Sequence, residues 1–509
     1  MRTKQALKNA VFSVFLQLTL AVSGILVPRF FIALYGSAVN GLVSSISQFI
    51  TYMSLVEAGV GAAATVSLYG PLANKNTNEV NGVLAATKRF YLRSGLIFAG
   101  LVALLVVFYP YIVKNEIQDT GFIRIMILVL SVNGLVDYFF LGKYRVLLMA
   151  DQRGYVLYGI QIIGTVVMTA VSIGQIQLGF SALAVKTTAA VIYVLRSLAA
   201  ILYCKFKYPD YHFKDKPDTS AFSQRNAALV HQITGAVANN AATVLLTVLL
   251  KKDALAEVSV YSVYNLVAYS LSSFINAIIN GLTPSFGQVI FKGEKDVLKN
   301  SFSTYEFLLF IIVFICYICM AVLLYPFISL YSADFNDGVV YLRPELVALF
   351  SFAGVLQAIR MPGLTLICAA GHYKETQGRA ITELIINIAV SVALTPFFGI
   401  AGVILGMCAS YLYRTTDVII YSAKNFLPGT LKKTFSRLMR NTAVLAVSIF
   451  VGVSLLPQTT DSWIVWVFSA VIIGSVSFVL LVLVNWLFEP DEFKKLLGLV
   501  KDILSPAKK

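Results

Sequence analysis

Fourteen apolar runs of about 20 residues or more recur along this 509-residue chain, and they constrain its fold more than any other feature. A run of that length crosses the ~30 Å hydrocarbon core of a bilayer as one α-helix. With 58% hydrophobic and 13% charged residues, the chain has too little polar surface for a soluble globule of its size. The sequence therefore predicts an all-α polytopic membrane protein with about 14 transmembrane helices, at residues 10–34, 38–70, 85–112, 121–150, 154–175, 179–204, 222–250, 257–290, 302–331, 340–370, 376–397, 399–423, 441–457 and 462–487.

Basic residues predict the orientation, because Lys and Arg collect in short loops on the cytoplasmic side. With the N-terminus inside, the inner segments hold 30 of the 40 basic residues and the outer loops hold four. The inner segments in this scheme include Lys88, Lys143, Arg145, Lys205, Arg379, Arg437 and Arg440. The bias predicts cytoplasmic N- and C-termini, and an anionic inner leaflet accounts for the net charge of +15 without nucleic acid.

The first twelve predicted spans read as a duplicated set of six. At an offset of 220, Gly179 meets Gly399 and Tyr193 meets Tyr413 within a shared pattern of inner loop, span, tight Gly turn and span. Such repeats commonly enclose a central site. We therefore expect two pseudo-symmetric six-helix lobes and two C-terminal helices, with an N-terminal lobe at 1–206, a cytoplasmic linker at 207–221, a C-terminal lobe at 222–426, an additional helix pair at 427–488 and a cytoplasmic amphipathic tail at 489–509.

Charged residues inside the predicted spans are the main candidates for function. A charge at the bilayer centre costs about 2.5–3.5 kcal/mol on insertion scales, so it has to line a hydrated interior or be paired. Arg414 and Asp417 are three residues apart and could simply neutralise each other, whereas Arg124 and Glu306 lie near span ends and are expected at the interface. The eleven residues are Arg29, Arg124, Lys186, Arg196, Arg360, Arg414, Glu57, Asp137, Glu306, Glu383 and Asp417.

Three features refine the choice among them. Arg29 follows Pro28 and Arg360 precedes Pro362 by two residues, and transporter sites are commonly built at broken helices. Glu57 lies in a long apolar helix, on one face with Gly61, Ala64 and Thr65. Polar stripes add Asn276 and Asn280 on one face, His231 and Asn239 on another, and a close-packing Gly402-x-x-x-Gly406 seam. Asparagine stripes are equally compatible with interhelical packing, and His231 more often packs than relays protons.

We predict substrate binding by Arg29, Glu57, Lys186, Arg196, Asn276, Asn280, Arg360, Glu383 and Arg414, and ion coupling at Glu57, Glu383 or Asp417. Cations, amides and tyrosines in one cavity suit a pyrophosphate with attached sugars. No metal or cofactor site is predicted, and no G-x-x-x-x-G-K-[ST] sequence is present for ATP hydrolysis, so we do not expect an enzyme. This interpretation fails if every buried charge is locked to an opposite partner and no hollow remains for a sugar.

Several segments resemble the polysaccharide-transporter (Wzx-type) flippases of the multidrug/oligosaccharidyl-lipid/polysaccharide (MOP) exporter superfamily. They are "LYGSAVNGLVSSISQFI" from Leu34, "EAGVGAAATVSLYGPLA" from Glu57, "LLMADQRGY" from Leu147 and "GRAITELIINIAVSVALTPFFGIAGVILG" from Gly378. The resemblance implies two lobes around a V-shaped cavity lined by Arg29, Glu57, Arg360, Glu383 and Arg414. Asn239 and Asn240 stand where similar proteins often place an acid, which leaves ion coupling there in doubt.

The resemblance implies a flippase that moves an undecaprenyl-pyrophosphate-linked oligosaccharide repeat to the outer leaflet by alternating access, for surface polysaccharide synthesis. Cations of the first lobe would hold the pyrophosphate. The alternatives are a flippase for the peptidoglycan lipid precursor, a cation-coupled multidrug exporter, in which acids would be expected to predominate, and a membrane scaffold. The expected location is a bacterial plasma membrane, and the expected partners are the lipid-linked substrate, membrane lipids and the polymerase and glycosyltransferases of the same pathway, with no nucleic acid.

Overall fold

A computed structural model describes residues 2–57, 60–113, 116–213, 215–217, 241–250, 252–280, 283–455 and 459–504. Throughout this part of the chain the secondary structure is helical and turn, without strands. Twelve of its helices are long and apolar enough to cross a membrane. The predicted all-α polytopic fold class is confirmed.

Unit 1 comprises Met1–Ser262 and Phe335–Val339. Its helices are α1 (Arg2–Tyr35), α2 (Ser37–Met53), α3 (Val60–Ala73), α4 (Thr77–Val113), α5 (Thr120–Val136), α6 (Gly142–Ala150), α7 (Gly154–Gln177) and α8 (Ala182–Lys207), followed by a helical stretch over 241–249. The long helix α1 packs along α7, and α7 packs on α8. Helix α5 packs between α4 and α8.

Unit 2 comprises Val263–Asp334 and Val340–Lys509. Its helices are α9 (Ala254–Asn280, which begins in unit 1), α10 (Thr283–Phe291), α11 (Lys295–Tyr331), α12 (Pro344–Ile359), α13 (Met361–Ala369), α14 (Tyr373–Phe398), α15 (Ile400–Asn425), α16 (Leu431–Leu455), α17 (Trp463–Phe488) and α18 (Pro490–Leu504). Its centre is the mostly buried helix α11, of 37 residues, against which α12, α16 and α17 pack.

Two of the fourteen predicted spans are absent from the twelve long helices. The span at 222–250 lies largely outside the described residues. The span at 38–70 is interrupted: α2 ends at Met53, a tight 3₁₀ turn runs over Ser54–Glu57, and helix resumes by Val60. The uninterrupted helix predicted through Glu57 is therefore wrong. A half-buried acid with polar partners and two glycines following in sequence make this a poor helix interior.

The glycine seam on α15 is confirmed. A Cβ on Gly402 would lie 2.6 Å from the backbone of Leu394, and one on Gly406 would lie 2.8 Å from the backbone nitrogen of Ser391. Only glycine lets the backbones of α14 and α15 approach this closely. The seam fixes the register of two helices that carry buried charges.

Candidate functional site

A first group of charges, each partly exposed, lies in unit 1 around Arg145, and we call it the Arg145 cluster. Glu57, at the end of the 3₁₀ turn, accepts a short hydrogen bond from the Tyr91 hydroxyl and lies 3.5 Å from the Arg145 guanidinium. Asp137 lies 3.1 Å from Arg145 and accepts a hydrogen bond of 2.6 Å from the Tyr193 hydroxyl. Asp137 begins a π-helical turn between α5 and α6, a local distortion often found at functional sites. The cluster joins four helical segments through two acids and one cation.

Two other predicted cations of unit 1, Arg196 and Lys186, face aromatic rings. The Arg196 guanidinium lies 4.2 Å from the ring centre of Tyr193, which links it to the Arg145 cluster. The Lys186 amine lies 4.3 Å from the ring centre of Phe31. Arg29 is half-buried on α1, two residues before Phe31. Cation–π contacts of this kind hold a charge inside a protein without neutralising it.

A second group lies in unit 2 around Glu383, and we call it the Glu383 cluster. One Glu383 oxygen accepts a 2.5 Å hydrogen bond from Arg360, and its other oxygen lies 3.6 Å from Nε of Arg414. Asp417 pairs with Arg414 at 2.7 Å and, through a short contact, with Arg379. The three guanidinium groups and two carboxylates form one continuous chain of charges, so three positive and two negative charges leave one positive charge over.

The structure thus pairs Arg414 with Asp417, which is one of the two possibilities that the sequence left open. Each acid also contacts a second arginine: Asp417 contacts Arg379, and Glu383 contacts both Arg360 and Arg414. Arg360 is 8% exposed and its Nε, which is buried, finds no hydrogen-bond partner among the described residues. Its guanidinium also lies 4.8 Å from the ring centre of Tyr411. A buried guanidinium that donates only part of its hydrogen-bonding capacity retains donors for an anionic ligand.

An apolar groove of about 630 Å³ lies beside the Glu383 cluster, because residues that line the groove are adjacent in the chain to Arg360 or bonded to the residue after Arg414. Leu356 and Ile359 line it, and Ile359 directly precedes Arg360. The carbonyl of Leu356 accepts a 2.7 Å hydrogen bond from Thr415, the residue after Arg414. Helices α11, α12 and α16 form the walls, and the side chains of Phe352 and Val453 are 52% and 42% exposed at its edge. Apolar surface and buried positive charge therefore adjoin in one unit.

A third buried group, the Arg437 cluster, ties α16 to α11 and to the loop before α18. Arg437 is 1% exposed, and its guanidinium donates to Glu306, Glu489, the Ser303 carbonyl and the Ser303 hydroxyl. Arg440 pairs with Glu489 at 2.9 Å, and Lys433 pairs with Glu492 at 2.9 Å. Lys495 is an exposed additional partner of Glu492.

Two carboxylates of the Arg437 cluster lie beyond the last span, and both are held in the charged form. Burial alone would raise the pKa of Glu489, but hydrogen bonds and charge from Arg437, with help from Arg440, hold it below its usual range. For Glu492, burial is likewise outweighed by the Lys433 amine and the Thr304 hydroxyl, which lower the pKa to about 2. The cluster is an anchor of saturated ion pairs.

Glu306 is expected at the interface from sequence, and the structure shows its carboxylate 6% exposed and bound by Arg437 and Thr434, in the same cluster as Glu489 beyond the last span. Sequence analysis also missed Arg145, Arg379, Arg437 and Arg440 by assigning them to loops. Arg379 precedes Glu383 by four residues, and Arg145 follows Asp137 by eight. The first spacing is that of a helical i,i+4 pair, yet Arg379 pairs with Asp417 on α15 instead, so the sequence indicated a cation near an acid but not its partner.

The amide stripe is only partly described. Asn276 is half-buried on α9, and one turn before it Ser272 lies 3.4 Å from Gln357. Asn280 ends α9, and its side chain lies outside the described residues, as do His231 and Asn239. The structure therefore brings together Glu57 with the Arg196 region, and Arg360 with Glu383, Arg414 and Asp417, while Lys186 and Asn276 stand apart from these contacts.

No protein-family model and no curated protein matches the chain by sequence. Solved structures match it by fold. An inward-facing multidrug resistance MATE family transporter of the MOP superfamily aligns with a TM-score of 0.62 at 11% identity, covering 84% of this chain and 99% of its own. The lipid II flippase MurJ in an inward closed conformation aligns with a TM-score of 0.61 at 14% identity, covering 94% and 99%. A mutant form of the Vibrio cholerae MATE transporter VcmN aligns with a TM-score of 0.53 at 15% identity, covering 84% and 98%.

These likenesses extend over most of each chain and agree with the twelve membrane-length helices. At such low identity they establish architecture and not substrate. The chain therefore has the multi-pass membrane fold of MOP-superfamily transporters.

Proposed function

We propose that this chain is a flippase for an undecaprenyl-pyrophosphate-linked oligosaccharide repeat, working by alternating access during surface polysaccharide synthesis. The observation that carries the proposal is the apolar groove beside the cation-rich Glu383 cluster. A polyprenyl chain needs an apolar path, and a pyrophosphate needs arginine donors. A substrate that has both parts would span the two features. The pyrophosphate would then bind arginines of unit 2 and not the cations of the first lobe that the sequence favoured.

In this mechanism Arg360 changes partner. Its free donor and its 2.5 Å bond to Glu383 make it the group that an incoming pyrophosphate would compete for. Arg414 would stay with Asp417 at 2.7 Å and keep the site positive while Arg360 binds substrate. When the other side opens, Glu383 would reclaim Arg360 and displace the phosphate. Protonation of Glu383, Asp417 or Glu57 would be the route by which a cation gradient couples to this exchange.

A multidrug exporter is the rival in a different class, since MATE transporters share the fold. An exporter of lipophilic cations would be served by an excess of acid, which the Arg145 cluster has, whereas the Glu383 cluster beside the apolar groove has an excess of arginine. The peptidoglycan lipid precursor carries the same polyprenyl pyrophosphate and fits the same features, and the MurJ likeness in fold keeps it as the nearer alternative. The proposal for the pyrophosphate and the polyprenyl chain of the substrate is thus better supported than any proposal for its sugar.

We place the protein in a bacterial plasma membrane with both termini cytoplasmic, beside the polymerase and glycosyltransferases of its pathway.

The test is a reconstituted flipping assay. Purified protein is placed in liposomes with a polyprenyl-pyrophosphate disaccharide that carries a fluorophore on the sugar, and a membrane-impermeant quencher reports which leaflet holds it. Parallel liposomes contain a muropeptide-bearing lipid or a fluorescent lipophilic cation. We expect flipping of the disaccharide lipid, a loss of at least tenfold in Arg360→Ala, and little change in Arg124→Ala, which removes an exposed membrane arginine.

If only the muropeptide lipid moved between leaflets, the proposed substrate would be wrong and the peptidoglycan alternative would be supported. Movement of the cation with no movement of either lipid would refute a flippase, as would equal rates with and without protein. Equal flipping by the Arg360→Ala and Arg124→Ala variants would refute the assignment of the site.

A further inference from the structure

A second cavity lies in unit 1, and none of the residues that line it is used in the proposed function. It has a volume of about 340 Å³, and three helices each contribute one lysine to it. Lys88 comes from α4, Lys143 from α6 and Lys205 from the end of α8. The segment Tyr208–Phe213 closes its remaining side.

The three ammonium groups form a site of uncompensated positive charge. Among the described residues no carboxylate lies within 4.0 Å of any of the three amines, and Lys143 feels the charges of both Lys88 and Lys205. Like charges brought together raise the energy of the free protein, and a bound anion relieves that repulsion. The Arg145, Glu383 and Arg437 clusters each contain carboxylates, whereas these three lysines, of which Lys205 is exposed, have none within that distance among the described residues.

The wall of the cavity is held by contacts of its own. At one end the Tyr208 hydroxyl donates a 2.5 Å hydrogen bond to Asp151, which also pairs with Arg153 at 2.7 Å. At the other end the His212 backbone N–H donates a 2.9 Å hydrogen bond to the side chain of Asn81. Phe213 lies under Lys143, with the amine 5.4 Å from its ring centre. The cavity is therefore preformed, and binding would not have to order it.

We propose that this cavity is a binding site for a phosphate group, carried either by an anionic phospholipid headgroup or by a soluble phosphate compound. Lysine binds phosphate as a point charge, and three lysines from three helices can engage separate oxygens of one group. An inorganic phosphate ion would not need the aromatic side chains that also line the cavity. They would contact the glycerol or ring attached to a phosphate group, for which the cavity has room. All three lysines belong to the predicted inner side, where basic pockets between spans meet anionic headgroups.

The probes are inorganic phosphate, dihexanoyl phosphatidylglycerol and dihexanoyl phosphatidylcholine, titrated into the full-length protein in a neutral detergent. The triple variant Lys88→Gln, Lys143→Gln, Lys205→Gln is compared with a control triple, Lys207→Gln, Lys292→Gln, Lys424→Gln, which removes the same charge from exposed lysines that do not line the cavity. We expect the cavity triple to lose at least tenfold in affinity for phosphatidylglycerol or inorganic phosphate, and the control triple to stay within twofold of wild type. Lys143→Arg should retain binding, because it keeps the charge.

Saturable binding of phosphatidylglycerol that inorganic phosphate does not displace supports a lipid site. Displacement by inorganic phosphate at matched concentration supports a soluble ligand. Equal affinities of the cavity triple and the control triple for both probes overturn the proposal, and so does phosphatidylcholine binding as tight as that of phosphatidylglycerol. If the cavity triple does not fold, the single variants Lys143→Gln and Lys205→Gln replace it, each with an expected loss of threefold or more.

Discussion

The Glu383 cluster and the Arg437 cluster both consist of basic and carboxylate side chains of unit 2. They differ in how many of their arginine hydrogen-bond donors already have a partner. Arg437 donates from all three of its nitrogens, to Glu306, Glu489 and Ser303. Arg360 makes one side-chain hydrogen bond and has a buried Nε with no partner among the described residues. The first arrangement has nothing left to offer a ligand, whereas the second has a donor in reserve.

The difference separates two uses of buried charge in a membrane protein. A saturated cluster ties helices together, and its removal leaves unpaired groups in a low-dielectric interior. A cluster that has unused hydrogen-bond donors and an excess positive charge is stabilised further when an anion binds to it. Buried arginines in a transporter are thus candidates for substrate binding when their donors are not all used, and the following predictions test this distinction.

The largest effect is expected from Arg437→Met. Loss of the guanidinium leaves Glu306 and Glu489 buried without their main partner, which costs about 3–5 kcal/mol for a buried pair. The measurement is the thermal unfolding midpoint in detergent, with Arg124→Met as the exposed control. A midpoint for Arg437→Met that equals the control would show that this cluster is not an anchor.

Arg360→Ala should show the reverse pattern, with a large loss of flipping and a small change in stability. Glu383 would still have Arg414 at 3.6 Å, so its charge is not left alone. Loss of a charge-assisted donor to substrate is worth about 1.5–3 kcal/mol, which corresponds to roughly a tenfold to hundredfold lower rate. A drop in midpoint as large as that of Arg437→Met would erase the distinction between the clusters.

Filling the apolar groove should lower transport without affecting either cluster. Ala348→Phe adds a ring to the groove wall, and Ala446→Phe adds one to an exposed position on α16 outside the groove. We expect several-fold slower flipping for the first variant and wild-type flipping for the second, since only the first competes with a polyprenyl chain. Equal rates in the two would argue against the groove as a lipid path.

The smallest effect concerns pH and the Arg437 cluster. The pKa of Glu492 is about 2 in the folded protein, below its usual value of 4.5. Its stabilising contribution is therefore fully present above pH 4.5 and is lost as the pH falls toward 2. The midpoint difference between wild type and Glu492→Gln should be constant from about pH 6 to 8 and should shrink below pH 4.5. A difference that grows on acidification would contradict the assigned ion pair with Lys433.

Much of the site could be predicted from sequence, and the failures have a common cause. Arg360, Glu383, Arg414 and Asp417 were found because a charge in an apolar run is conspicuous. Arg437 was missed because it lies near a predicted span end, where a basic residue is ordinarily a topology signal. Composition along the chain cannot tell a lysine or arginine that faces water from one that turns inward to a carboxylate on another helix.

The amino-acid sequence by itself determined that this chain is helical and crosses a membrane many times, because apolar length and the need to satisfy backbone groups in lipid leave few other folds. It also determined the close approach of α14 and α15, since Gly402 and Gly406 lie one turn apart on one face. Only the tertiary structure decided which charges meet. Arg379 on α14 pairs with Asp417 on α15, and Lys88, Lys143 and Lys205 converge on one cavity, because packing brings together residues that lie far apart in the sequence.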